Sequence, residues 1–465
     1  MKLLTLSNSC PRWSGGELSP RSPGGLVPML IALLDRHGGD WVFTAPAEAA
    51  GSPDSVSLRG DVRLHPMQVD EELRRHHYDT VSIRLFLGLL HYLHDASEQP
   101  VFDSATRAAW AGYETVNRMY AKRLDELAED SPELHILIND PHLMLVPELY
   151  GGCSERRAAR LTYFLGTPWC EPDYFTLLPG DIRVRLLESL LQCDVVGFHA
   201  RRWADAFLRC CERFLPGARV EDRVVVHRGK ETELVAVPFP LDIDVLDEMV
   251  SEPATAEWAE RLDVLAAGRR TMVRADRLDL WKNLPRGFAA YEAMLERRPG
   301  LASECWFGAV VTKPSRAAGR HLAYQQATEA AVRRINERFA PPGRDAVSLI
   351  YPGSGGDSRN AVIAALRGAT AAMVNSTFDG LNLFAKEAAY LLRDDTSLLI
   401  SANAGVHEQL APYSLTLDPF DLEQNGQVME AALDGRPAAH PSAARRRALL
   451  RAESSERWLT EVFRR

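Results

Sequence analysis

At 465 residues the chain is too long for one ordinary core, and roughly 100–200 residues per domain implies two or three domains. An apolar content of 46% with 25% charged residues is that of a soluble globular protein, and no run approaches the ~18 apolar residues of a membrane span. The net charge of −9 leaves no cationic excess to neutralise phosphates, which disfavours nucleic acid as a bulk partner.

The opening MKLLTLSNSC is too short in its apolar part for a secretory signal and reads as a first buried strand. In RSPGGLVPMLIALL, Gly24 and Gly25 stand before an apolar helix. Two glycines there let backbone amides approach an anion at the positive end of the helix, although a plain strand-to-helix turn looks the same. DWVFTA, LHILIND, LTYFLGT, DVVGFH and ELVAVPF read as further short strands of the first half. In LINDPHLMLVPELY, Asp140 ends a strand with His142 two residues on; it can orient or polarise a hydroxyl, or cap the next helix. Two prolines break VPFPLDIDV (Val237 to Val245), and we place the domain boundary there. Residues 1–241 form one domain and residues 242–465 a second, whose last helix could pack back on the first.

TMVRAD, ECWFGAVV, VSLIYP, AAMVNS and TSLLISA are the strands of the second half, with LPRGFAAYEAMLERRP and AYQQATEAAVRRINERF as amphipathic helices between them. Alternating strands and helices imply parallel sheets of βαβ units, hence an α/β protein of two doubly wound domains. Ligands of such sheets sit beyond the strand C-terminal ends, and pockets favour domain interfaces, so the ligand is expected in the cleft between the domains.

In VRADRLDLWKNLPRGF, Arg277 and Lys282 flank a turn after a strand. Two cations there suit a diphosphate; alternatively Arg277 pairs with Asp276 or Asp279 on the surface. In FDGLNLFAKEAAYLL, Asp379 and Gly380 precede a helix whose first amides have no partner in the helix ladder. Glu387 follows Gly380 by about two turns and could accept hydrogen bonds from vicinal ribose hydroxyls. The plain alternative is a capped helix with Lys386 and Glu387 in solvent. RPAAHPSAARRRALLRAES reads as a loop followed by a solvated helix. The seven cysteines (Cys10, Cys153, Cys170, Cys193, Cys210, Cys211, Cys305) are odd in number and lack zinc-ligand spacing, and read as reduced, mostly buried thiols.

Taken in order, GGLV, NDPHLMLVP, YFLGTPWCEPDYFTLLP, DVVGFHARRWADAFL, RADRLDLWKN, TKPSR and DGLNLFAKE resemble the retaining glycosyltransferases of the trehalose-6-phosphate synthase family, over nearly the whole chain. The resemblance implies a GT-B fold, with two Rossmann-like domains facing a central cleft. It implies a nucleoside diphosphate sugar, of GDP or UDP type, as co-substrate, with no metal and no other cofactor. Arg277 and Lys282 would hold the diphosphate, and Glu387 the donor ribose. Asp379, with the backbone of Gly380, Leu381, Asn382 and Leu383, would hold the donor sugar and phosphates. Gly24 and Gly25 would form a mobile loop over the donor, and Arg359 falls near the family's nucleotide-contacting arginine. On the acceptor side the resemblance places Asp140, which would take part in catalysis, and Tyr78, Arg316 and Gly166. The partners implied are a small-molecule donor and acceptor, with no nucleic acid and no membrane, in a cytoplasmic protein; a homo-oligomer is compatible with this.

The departures fall on the sugar and acceptor side. The family's Phe-Leu-His-Ile-Pro is Phe164-Leu165-Gly166-Thr167-Pro168 here, so an imidazole donor is missing. The usual Ser-Asn-Arg is Ser7-Asn8-Ser9, an acceptor-side Trp is replaced in Phe86-Leu87-Gly88, and Asn139-Asp140-Pro141-His142 keeps the Asp but not the Tyr of its motif. We therefore expect a specialised hexosyltransferase-type relative acting on a small sugar or sugar-phosphate-like acceptor. Two alternatives stand beside it. One is a pseudo-glycosyltransferase joining two cyclitols through nitrogen, as validoxylamine A 7′-phosphate synthase does. The other is a catalytically silent nucleotide-sugar-binding or regulatory protein.

Overall fold

The apolar runs singled out above all become strands in the structure, a computed structural model that describes residues 2–14, 17–19, 25–45, 55–57, 61–128, 134–151, 160–313, 319–353, 356–434 and 443–463. Gly24, Arg316 and Cys153 lie outside the described residues. Contacts divide the chain into two units: one holds residues 2–19, Gly25–Pro240 and the chain from Ser455 on, the other Leu241–Ser454.

The strands of the first unit are β1 (Lys2–Ser7), β2 (Arg12–Ser14), β3 (Glu17–Ser19), β4 (Gly39–Thr44), β5 (Val56–Ser57), β6 (Val62–Met67), β7 (Leu134–Asn139), β8 (Arg160–Leu165), β9 (Val195–Phe198), β10 (Arg219–Glu221), β11 (Val224–His227) and β12 (Lys230–Ala236). β2 and β3 pair only with each other. The sheet runs β10-β11-β12-β9-β8-β7-β1-β4-β6-β5, parallel from β12 to β6 and antiparallel at both edges. Leu3, Leu4, Leu6, Val42, Ile136, Ile138 and Tyr163 are fully buried, as expected of central strands covered on both faces. Strand order reverses between β1 and β7, whose C-terminal ends lead into Asn8 and Asp140. The helix Ser455–Val462 packs in this unit: Trp458 Nε1 donates to Val237 O at 3.3 Å, and its ring meets Phe164 and Phe239.

In the second unit β13 (Arg270–Arg277), β14 (Cys305–Thr312), β15 (Val347–Ile350), β16 (Ala371–Val374), β17 (Ser397–Ser401) and β18 (Leu415–Leu417) form an all-parallel sheet. Its order, β15-β14-β13-β16-β17-β18, is that of a doubly wound dinucleotide-binding sheet, with the reversal between β13 and β16. Met272, Phe288, Tyr291, Phe307, Val347 and Leu399 fill its core. The two amphipathic stretches form helices Leu284–Arg297 and Arg320–Phe339. The Ala/Arg-rich stretch is not simply solvated: in the helix Ala443–Arg451, Arg446 is buried and donates to the carbonyls of Ala389, Leu392 and Arg393. No described helix is long and apolar enough to cross a membrane.

Candidate active site

The second unit's site grows from the C-terminal end of β13. Arg274 points into the protein and is fully buried, so its charge must be met locally. Nε and Nη2 donate to Asp276 Oδ2 at 2.9 and 2.7 Å, Nη1 donates to Asn375 Oδ1 at 3.1 Å, and Nη2 also donates to Lys282 O at 2.8 Å. These bonds tie the turn carrying Lys282 to the residue after β16. Burial pushes the Asp276 carboxyl up, while Arg274 and Lys282 oppose that rise.

Lys282 Nζ donates to Asp379 Oδ2 at 2.6 Å, and the same oxygen accepts from Ser376 Oγ at 3.0 Å and Asn382 Nδ2 at 3.1 Å. Burial disfavours the ammonium, but the carboxylates of Asp379 and Asp276 outweigh it and hold the lysine above its ordinary pKa. Asn382 has φ +80°, unusual for a residue with a side chain. Its two side-chain bonds, to Asp379 and from Ala385 N at 3.1 Å, hold it there. Gly380 and Leu381 continue the segment, with Val406 N donating to Leu381 O at 2.9 Å. The helix itself starts at Leu383.

Lys386 and Glu387 are both buried, so the reading of a solvent-exposed pair does not hold. They part company: Lys386 Nζ donates to Glu453, whereas Glu387 Oε1 accepts from Arg359 of the helix Gly356–Gly368. Glu387 Oε2 is buried without a hydrogen-bond partner, an acceptor still to be satisfied. Arg277 is different. Its side chain is 67% exposed and pairs with Asp279 at 2.7 Å, the surface pairing that was the plain alternative for it.

In the first unit Asp140 follows β7 with φ +68°. It does not cap the next turn with its side chain; Oδ1 accepts from Gly166 N at 3.3 Å, and its carbonyl accepts from Tyr163 OH. Burial with so few donors raises the carboxyl to about 6. A Cβ at Gly166 would stand 2.9 Å from Asp140 Oδ1 and 3.7 Å from His199 Nε2. The position of the missing side chain is thus crowded by the Asp140 carboxylate, with the His199 imidazole beside it. Tyr78, on a wide-turned π-helical segment (Arg75–Leu87), stacks on His142 with centroids 5.5 Å apart and planes at 12°. Neither ring nitrogen of His142 has a hydrogen-bond partner, and burial lowers its pKa to about 3, so the ring is neutral. At Gly88 a Cβ would come within 2.7 Å of the His94 ring, so His94 has taken that space. Gly25 caps the helix Leu26–His37 with φ +119°, a conformation only glycine adopts freely.

Asp276, weighed above as a surface partner of Arg277, instead pairs with Arg274. Arg274, His94 and His199 escaped the sequence reading. A charge in the middle of an apolar strand, as in MVRAD, signals a buried pair and would have found Arg274; the two histidines carry no such signal.

In comparisons with known proteins, residues 15–465 match the model of glycosyltransferase family 20. A validamine 7-phosphate valienyltransferase of Streptomyces hygroscopicus subsp. jinggangensis is 29% identical over 95% of this chain and 88% of its own length. An α,α-trehalose-phosphate synthase [UDP-forming] 2 of Aspergillus niger is 31% identical over 93% of this chain and 89% of its own. Among solved structures, one from E. coli described as trehalose-6-phosphate bound with UDP-2-fluoro glucose superposes with a TM-score of 0.85 at 22% identity, covering 100% of this chain and 99% of that one. The fold is accordingly GT-B.

Proposed function

The chain belongs to glycosyltransferase family 20, and from that membership we propose that it transfers a sugar or sugar-like group from a nucleoside diphosphate, with retention, to a small acceptor. The observation that carries this reading is the cluster at the β13/β16 reversal. Lys282 and Asp379 are paired there at 2.6 Å, and Glu387 keeps an unpartnered buried oxygen one helix turn beyond the cap. A cation, a row of helix-start amides and a carboxylate acceptor match in order the diphosphate, the sugar and the ribose of a nucleotide donor.

In this reading, Lys282 stabilises the negative charge that develops on the departing diphosphate. Arg277 swings from Asp279 to assist it. Such preorganised electrostatics is usually the largest catalytic contribution. Attack comes from the face that the diphosphate leaves. The departing phosphate takes the acceptor's proton, so no enzymic nucleophile is required. Asp379 and the amides from Gly380 to Leu383 hold the transferred group, Glu387 and Arg359 the nucleoside, and Gly25 the donor-side loop. Asp140, with Tyr78 and Gly166, belongs to the acceptor.

A second reading, transfer to an amine, is favoured by one observation. The half-buried Asp140 carboxyl accepts a single hydrogen bond, from Gly166 N. An ammonium or amine would satisfy that carboxylate better than a neutral hydroxyl. The relatives support both readings, since a valienyltransferase and a trehalose-phosphate synthase match the chain about equally.

The test is thermal stability with UDP, GDP, ADP, TDP and CDP, followed by product assays with the nucleotide that binds. A ligand at ~100 times its dissociation constant adds about 2.7 kcal/mol, so one nucleotide should stand out. No shift with any of them would favour a silent relative instead.

A further inference from the structure

Away from the candidate site, the second unit carries a cavity of about 420 Å³ lined chiefly by Arg367, Arg393, Arg447 and Arg451 with Asp247 and Tyr390. It shares no lining residue with the Lys282–Asp379–Glu387 cluster. It opens at the C-terminal ends of the helices Gly356–Gly368, whose first turn carries Arg359, and Leu383–Leu391, which Asn382 caps.

Part of this arginine cluster has a structural task. Arg447 Nε donates to Tyr390 O at 2.9 Å, Arg393 Nη1 donates to Arg367 O at 3.0 Å, and the neighbouring buried Arg446 serves three more carbonyls. Guanidinium groups at helix C-terminal ends satisfy the last carbonyls and suit the helix dipole. That task does not extend to Arg367. Its side chain is exposed, and its guanidinium makes no hydrogen bond or ion pair among the described residues.

The charge is also only partly compensated. Asp247 is the one acid of the lining, and its oxygens already accept from Tyr390 OH at 3.0 Å and from Arg451 Nη2 at 3.3 Å. Arg393 Nε is held by Asp395 at 3.1 Å, yet an excess of positive charge remains. It is concentrated here in a chain whose net charge is −9.

We propose that this cavity is a second anion site, for a small phosphate-bearing molecule, independent of the donor nucleotide. Planar guanidinium forks match phosphate oxygens two at a time, and the volume lies in the range of roughly 300–1,000 Å³ that small ligands occupy. A phosphate ester and a free polyphosphate share this chemistry.

Titration calorimetry on the full chain tests it, with pyrophosphate and glycerol 3-phosphate as probes; the tighter of the two names the source. Arg367→Ser removes no bond of the fold, and Arg367→Ser with Arg451→Gln removes two of the cations. Binding should survive in Lys282→Ala and weaken about tenfold or more in the arginine variants, the size of one or two charge-assisted hydrogen bonds. The proposal fails if Lys282→Ala abolishes all binding, or if Arg367→Ser and the double variant bind as the wild type does. It fails equally if saturation needs tens of millimolar anion, which would mean an adventitious ion only.

Discussion

Lys282 Nζ lies 2.6 Å from Asp379 Oδ2, and this one contact ties the turn after β13 to the turn after β16. These adjacent strands are where the second sheet reverses its order, and in doubly wound sheets the crevice beyond such a reversal is the ligand position. Fold topology and side-chain pairing therefore select the same spot. The lysine is held across it by a carboxylate that is itself fixed by Ser376 and Asn382.

Replacing Lys282 with Ala should cut turnover by roughly 10²–10³ and remove nucleoside diphosphate binding while leaving a folded protein. Steady-state kinetics and calorimetry on the variant check this. Turnover close to wild type would sink the diphosphate assignment.

Glu387 and Lys386 are adjacent and buried but should behave oppositely. Glu387→Ala should erase any preference for a ribonucleoside diphosphate over its 2′,3′-dideoxy counterpart, with little effect on binding of the dideoxy form. An unchanged preference would remove Glu387 from the ribose.

Lys386→Ala takes the cation from a half-buried Glu453 that keeps the hydrogen bond from Gln409, and loss of the charged partner should cost about 1–3 kcal/mol. Chemical denaturation should show that loss, with nucleotide affinity per folded molecule retained. A variant as stable as wild type would mean that Gln409 alone satisfies Glu453.

Asp140 carries a pH signature. Its folded pKa, about 6, lies above the ordinary carboxyl value of 3.8, so the desolvated group holds its proton to higher pH. The stability associated with that proton is complete below pH ~4 and is lost as pH rises through ~6. Asp140→Asn abolishes this titration. The stability of the variant relative to wild type should therefore grow by about 3 kcal/mol between pH 3.5 and 7 and then level off. Urea unfolding across that range is the measurement, and a flat difference would contradict the raised pKa.

Gly166→Ala places a methyl 2.9 Å from Asp140 Oδ1, so the carboxylate must move by a few tenths of an ångström. We expect turnover to fall by about tenfold, the equivalent of ~1.4 kcal/mol, with the melting temperature little changed. Full activity in Gly166→Ala would show that the acid's position does not matter to the reaction.

Much of this architecture was legible in the chain. Short apolar runs alternating with amphipathic stretches can satisfy burial only as strands covered on both faces by helices, and every such run became a parallel strand. Most strands that escaped were short or carried charges, although β11 (VVVH) was apolar enough to have been found. β6 (VRLHPM) carries Arg63 and His65, which make sense only against the buried Asp40 of β4. Lys282, Asp379 and Asp140 could be singled out because each follows a strand end, where backbone direction alone puts side chains at the sheet's rim. The choice of partner for each charge was beyond the sequence. Arg274 meets Asn375 from 101 residues away, Lys282 meets Asp379 from 97, and Lys386 meets Glu453 from 67. Local patterns report which residues leave water; which buried charge answers which depends on the crossovers of the sheet, and those exist only once the chain has folded.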